Sequence, residues 1–258
     1  MLLAGIKVAD SALVRDAIEL ARSSSSPFLF NHVMRSWLFG ATIAEGARSA
    51  PDPEVLAVST VLHDLGLTDR FAAHDRFEVD GANAARSFLK DRGIPTQQIQ
   101  LVWDAIALHT TRSIALHKQP EVATTHAGIA IDVIGAGLDL IPTNKLRAIL
   151  TEFPRLSMKT ELRACLCSVI RRKPETTYDN LLKDFGTRYV DGYTAPSFAD
   201  LLEKAPFAEQ HATADLEYRT ATQSTPRSPS ESPPVIRWMS RASPWNMSGS
   251  WPIGRSRK

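Results

Sequence analysis

Apolar residues recur three and four positions apart from Leu13 to Leu202, and the runs are broken by Pro, Gly, Ser or Asp. That spacing lays apolar side chains along one face of a helix, and the alternation of a half-buried strand is scarce. A chain patterned this way must bury its stripes helix against helix. "DSALVRDAIELARSS" begins with Asp10 and Ser11 as cap and carries Leu13, Ala17, Leu20 and Ala21 on one face. The second helix covers "PFLFNHVMRSWLFGATIAEGAR" with Pro27 in its first turn, and the third starts at Asp52-Pro53. The third runs on to His63-Asp64 and is broken at Gly66. Further helices are predicted over residues 80–93, 95–111, 118–137, 144–154, 158–174 and 177–190, with a short one over 197–205.

At 258 residues the chain has room for a substantial core. The pattern predicts an all-α fold: one helical domain over residues 1–211 and a disordered tail over residues 212–258. Residues 219–258 hold nine Ser, six Pro and three Trp without periodicity, and seven of their eight charges are basic. Without them the body carries a net charge of about −4, which offers nucleic acid no basic face. The two cysteines, Cys165 and Cys167, are spaced C-x-C inside a helical run, which suits neither a disulfide nor a zinc knuckle. With no secretory leader pattern and no apolar stretch long enough to span a bilayer, the expectation is a soluble, cytoplasmic protein. Its partner would be a small molecule, without membrane or nucleic acid; self-association and a partner for the tail stay open.

The stretch "EVLAVSTVLHDLGL" ends an apolar run in an adjacent His63 and Asp64. Burying such a pair is costly unless a metal ion or hydrogen bonds satisfy both groups. His32 sits in the second helix, and Asp132 stands among Ile and Val in "HAGIAIDVIG". Taken singly, each fits a hydrogen-bonded core residue. Taken together, two imidazoles and two carboxylates offer N and O donors of intermediate hardness, suited to zinc, iron, manganese or nickel. No cysteine is expected near them.

The order of His, then His-Asp, then a distant Asp resembles the HD-domain metal-dependent hydrolases, an all-α family. The strings "FNH", "LHDLGLT", "RFEVDGANAA", "AIALHTT" and "HAGIAIDVIGAG" look more specifically like its cyanamide-hydratase-like branch, over roughly residues 5–205. The resemblance implies that His32, His63, Asp64 and Asp132 bind one divalent metal, zinc or iron in the first place. His109, His117 and His126 lie in the interval where some relatives hold a second ion. His126 would face away from Asp132, and His74 would be exposed.

Glu78 is the first candidate for moving a proton near the metal, ahead of Asp80, which fits a helix cap. His109 and Lys118 complete the candidate catalytic set, with Arg112 beside them. Three functions compete. The first is hydration or hydrolysis of a small nitrile- or amide-like compound, with cyanamide to urea as the leading case. The second is hydrolysis of a nucleotide or other phosphate ester, and the third is non-catalytic metal binding. A phosphate needs clustered cations, yet Arg35, Arg76, Arg112 and Lys118 are dispersed. Phe28, Phe30, Trp37 and Trp103 suggest an aromatic lining and so an uncharged substrate.

Overall fold

Where two helices cross with a glycine between them, their backbones can touch, and the central contact of this chain is of that kind. The structure, a computed structural model, describes residues 1–45 and 47–207. The chain falls into two units, Met1–Ala195 and Pro196–Lys258. The first opens with an antiparallel hairpin of β1 (Leu2–Leu3) and β2 (Ile6–Lys7). It continues with α1 (Ala12–Ser24), α2 (Pro27–Ala44), α3 (Pro53–Leu62), a 3-10 turn (Leu65–Leu67), α4 (Phe77–Lys90) and α5 (Thr96–Ala107). Then come α6 (Arg112–Ala115), α7 (Pro120–Ile134), α8 (Thr143–Glu152), α9 (Met158–Arg172) and α10 (Leu182–Tyr189). In the second unit α11 (Phe198–Glu203) is capped by Ser197, whose hydroxyl accepts from the Asp200 amide. The all-α expectation holds for the described residues. The expected tail, residues 212–258, lies outside them, as does its boundary.

Local chemistry sets several of the helix starts. Ser11 Oγ accepts from the Val14 amide, and Asp52 Oδ1 accepts from the amides of Glu54 and Val55. Pro27, Pro53 and Pro120 each occupy a first turn. Gly135, at φ 72°, closes α7 in the left-handed conformation that glycine adopts without strain.

Three boundaries differ from the sequence expectation. Helix α3 ends at Leu62, before His63-Asp64, and Gly66 sits in the 3-10 turn instead of breaking a helix. Its glycine is needed for close approach, because a Cβ there would lie 2.0 Å from the Phe77 carbonyl oxygen. Helix α4 begins at Phe77, so Glu78 and Asp80 both lie in its first turn and neither is its cap. Residues 174–177 form a 3-10 turn ahead of a shorter α10. The hairpin and α6 were not foreseen; they are two- and four-residue pieces, too short to show a period.

Helices α2 and α7 meet at Gly128, where a Cβ would stand 2.3 Å from the Ser36 carbonyl oxygen. His32, Ser36 and Gly40 follow one another at four-residue steps on α2, as do Gly128 and Asp132 on α7. Backbone contact at the glycine therefore brings His32 and Asp132 together one turn away. The main core joins Val14, Val33, Leu38, Leu56, Val61 and Ile106 across α1, α2, α3 and α5. A second apolar cluster joins Leu29, Leu67 and Phe77 to Leu166, Val169 and Ile170 of α9 and Leu182 of α10. Among the described residues no helix is long and apolar enough to cross a membrane.

Candidate metal centre

His63 and Asp64 follow the last turn of α3, where backbone carbonyls lack helical amide partners. His63 Nδ1 lies 2.7 Å from the Thr60 carbonyl oxygen. A carbonyl only accepts, so Nδ1 carries the hydrogen and Nε2 is left with a lone pair. His109 repeats the device past the end of α5, with Nδ1 donating to the Ile106 carbonyl at 2.6 Å. On α2, His32 Nδ1 lies 2.7 Å from Asp132 Oδ2, which again leaves Nε2 as the acceptor.

The three freed nitrogens converge on Asp64. His32 Nε2 and His63 Nε2 stand 3.2 Å apart, and they lie 3.4 Å and 3.2 Å from Asp64 Oδ2. His109 Nε2 faces the other oxygen, Oδ1, at 3.9 Å. The rings of His32, His63 and His109 form a chain of edge contacts, with centroids 5.0 and 4.8 Å apart. His32, His63 and Asp64 present donor atoms all within 4.8 Å of one another. All are buried, Asp64 being the most exposed of the three at 4 %. In the neutral rings two imidazole lone pairs aimed at each other beside a carboxylate repel one another, and a proton or a metal ion between them relieves this. The donor set therefore fits a divalent transition metal.

The electrostatics follow from this crowding. Burial alone would raise the Asp64 carboxyl, yet His63, His32 and His109 hold it well below the usual carboxylate range. Burial works against a charged His63, but Asp64 and the Thr60 carbonyl outweigh it and raise its pKa above the ordinary value. His109 is pushed down to about 4 by burial and by neighbouring His63.

Asp132, which the sequence groups with the metal ligands, turns its carboxylate to other partners. Arg35 grips both oxygens, Nε to Oδ1 at 2.7 Å and Nη2 to Oδ2 at 2.8 Å. Arg155 adds a bond to Oδ1 at 3.0 Å. Burial would raise this carboxyl too, but the bonds from His32 and Arg35 pull it well below the usual range. In this arrangement Asp132 orients His32 from behind, as carboxylates behind metal-binding histidines do.

Glu78 is fully buried beside this group, with both oxygens engaged. Arg76 donates Nη2 to Oε1 at 2.8 Å and Nε to Oε2 at 3.2 Å, and Thr110 donates to Oε1 at 2.6 Å. Burial acts to raise its pKa, but Arg76 and His109 bring it below the ordinary value. Asp80 ties the loop before α4 together, accepting from the amides of Ala73 and Asp75 and from Lys173. Lys118, a catalytic candidate from sequence, pairs its ammonium with Asp104. His126 is buried and donates Nδ1–H to the His109 carbonyl, while His74 and His117 are exposed.

Two sequence expectations need correction. Of the four aromatic residues, Phe30 packs on Phe153, Trp37 lies in the main core, and Trp103 donates to Asn83. Phe28 borders the second cluster, and Phe77, not singled out from sequence, lays its ring against His109 with centroids 5.6 Å apart. A cysteine does lie close by. Cys165 Sγ is 3.9 Å from the Leu67 carbonyl oxygen, and burial together with the Asp64 charge pushes its thiol up to about 11. The sequence offers Arg35 only as a dispersed cation, although it stands one turn after His32, and gives Arg155, Cys165 and Lys173 no local signal.

A search of the curated proteins finds no match to this chain. Among protein families, the HD domain matches residues 29–150, a stretch that includes His32, His63, Asp64, His109 and Asp132. Residues 29–150 are thus similar to HD domains, a likeness that points to metal-dependent hydrolase chemistry, and His32, His63 and Asp64 within them are a group that could hold a divalent metal ion.

Proposed function

We propose that this protein adds water to a small, uncharged nitrile- or amide-like compound, with cyanamide, giving urea, as the first substrate to try. The observation that carries this reading is the commitment of the neighbouring cations. Arg35 and Arg155 are spent on Asp132, Arg76 on Glu78, Lys118 on Asp104 and Lys173 on Asp80. A phosphate ester asks for cationic groups turned toward it. The apolar cluster of Leu29, Leu67 and Phe77 beside His109 suits an uncharged molecule. The likeness to the cyanamide-hydratase-like branch supports the same choice.

His32, His63 and Asp64 would hold the ion, which when bound supplies an acidified water and polarises the substrate. Hydration of a nitrile forms one C–O bond, moves both water protons in turn from oxygen to nitrogen and expels nothing. His109 offers an acceptor nitrogen beside Asp64 and would relay those protons. Glu78, held by Arg76 and Thr110, fixes the segment around His109.

The second reading, a phosphohydrolase, draws on one observation: the two oxygens of Asp64 face histidines on separate sides, an arrangement that suits a pair of ions. A panel on protein reconstituted with zinc, iron or manganese separates the two. Urea from cyanamide, or amide from a short nitrile, supports the first reading. Phosphate release from nucleotides or phosphate esters without urea overturns it. Inertness toward the whole panel despite a bound ion leaves the third reading, non-catalytic metal binding.

A further inference from the structure

The second apolar cluster borders the candidate metal centre through Phe77, and part of it comes from beyond the HD-domain match. Phe28 stands four residues before His32, so both lie on one face of α2. Leu67 follows Asp64 by three residues, and Phe77 lies against His109. Each of these three belongs to or packs on the cluster whose other half is α9, residues Met158–Arg172. On α9, Leu166 and Val169 are buried, but Leu162 and Cys165 are only half-buried, as is Phe28 on the facing helix. Cys165 comes close enough to Leu67 for its sulfur to lie 3.9 Å from that backbone, and it feels the Asp64 charge. Partly open apolar side chains beside buried donors are what a small-molecule pocket presents to the non-reacting part of its ligand.

We propose that Phe28, Leu162 and Cys165 form the wall that sets how large a substrate this protein accepts, so that α9 selects what the HD domain transforms. This rests on the reading of the centre as a metal site for a small, uncharged substrate. The thiol acts by its size and apolar character. Leu162 and Cys165 lie three residues apart on one helical face, so changes at either alter the same side of the proposed wall.

The test uses full-length protein loaded with zinc and a series of straight-chain hydroxamates, whose head group binds the metal while the tail explores the wall. Affinities of acetohydroxamate and hexanohydroxamate are measured by calorimetry, and their ratio is taken within each protein. Leu162→Ala and Cys165→Ala, with helicity and zinc content retained, are expected to raise the hexano-to-aceto ratio at least fivefold. For scale, each methylene admitted to an apolar site is worth about fourfold. Leu162→Phe is expected to lower the ratio by a similar factor. A ratio within twofold of wild type in every folded variant overturns the wall, as does absence of hydroxamate binding to the zinc-loaded wild type. The two proposals fail separately. A protein that hydrates cyanamide or nitriles with an unmoved ratio loses the wall and keeps the proposed function. One with a moved ratio that hydrates neither keeps the wall and loses the proposed function.

Discussion

Arg35 and Asp132, ninety-seven residues apart in sequence, form a two-pronged ion pair with no solvent exposure on either side chain. Arg35 reaches further, donating from Nη1 to the carbonyls of Phe153 and Pro154 at 3.1 Å each. One guanidinium thus joins α2, α7 and the chain after α8. Removing one partner of such a pair strands a buried charge, which costs about 3–5 kcal/mol. Arg35→Met is therefore expected to lower the melting temperature by about 10 °C, at roughly 2–4 °C per kcal/mol for a chain of this size. A fall of less than about 2 °C in a thermal melt would show that Arg155 and His32 satisfy Asp132 unaided.

The same carboxylate decides between two architectures of the metal centre. With Asp132 behind His32, Asp132→Asn keeps an oxygen for His32 Nδ1–H and weakens metal binding about 10- to 100-fold, the usual effect of losing such a support. Asp64→Ala removes a donor and is expected to abolish binding at micromolar metal. Metal content and competition with a chelating dye measure both. Equal and complete loss in the two variants would make Asp132 a direct ligand, as the sequence resemblance implies.

Acid should loosen the metal-free protein before its carboxylates titrate. His126 is buried, and burial lowers its pKa below 6.5. A histidine depressed in the folded state contributes stability above its unfolded pKa and loses it as pH falls from 6.5 toward the folded value. His109, pushed down to about 4, acts in the same direction. His63 is raised, so its contribution is already complete below pH 6.5 and does not offset the loss. Urea denaturation of the apo protein should show stability dropping between pH 6.5 and 5, by up to about 1.4 kcal/mol per pH unit for each depressed histidine. His126→Asn should flatten that slope; an unchanged slope would remove His126 from the account.

Gly128 is expected to tolerate no side chain. A Cβ would meet the Ser36 carbonyl at 2.3 Å and the Gly40 amide at 2.9 Å, both backbone atoms of α2. Gly128→Ala must push α7 from α2, at a cost of about 1–3 kcal/mol for overpacking, and must lengthen the His32–Asp132 bond. The check is a joint loss of stability and metal affinity. Retention of both would mean that the helices slide without separating the two residues.

Local chemistry made much of the fold readable. The caps at Ser11 and Asp52, the prolines at 27, 53 and 120 and the left-handed Gly135 each act within a few residues. His32, His63 and Asp64 were readable because polar residues within or at the end of an apolar helical run demand partners. What those partners are was not, since the Arg35–Asp132 pair and the approach of Cys165 to Leu67 span about a hundred positions. Gly66 misled for the same reason: its close contact is with Phe77, across a loop, and not with its own helix.

His63 and His109 both sit just past a helix end and both turn Nδ1–H back onto the carbonyl three residues before. The rotation of each helix therefore aims its histidine, at roughly 100° per residue. Inserting or deleting one residue within α3 or α5 would swing that imidazole out of the centre even if the helix still formed. The loop from Thr68 to Arg76 carries no such phase, so related chains should differ in length there and keep α3 and α5 in register. The centre thus depends on a count of residues as well as on the identity of its donors.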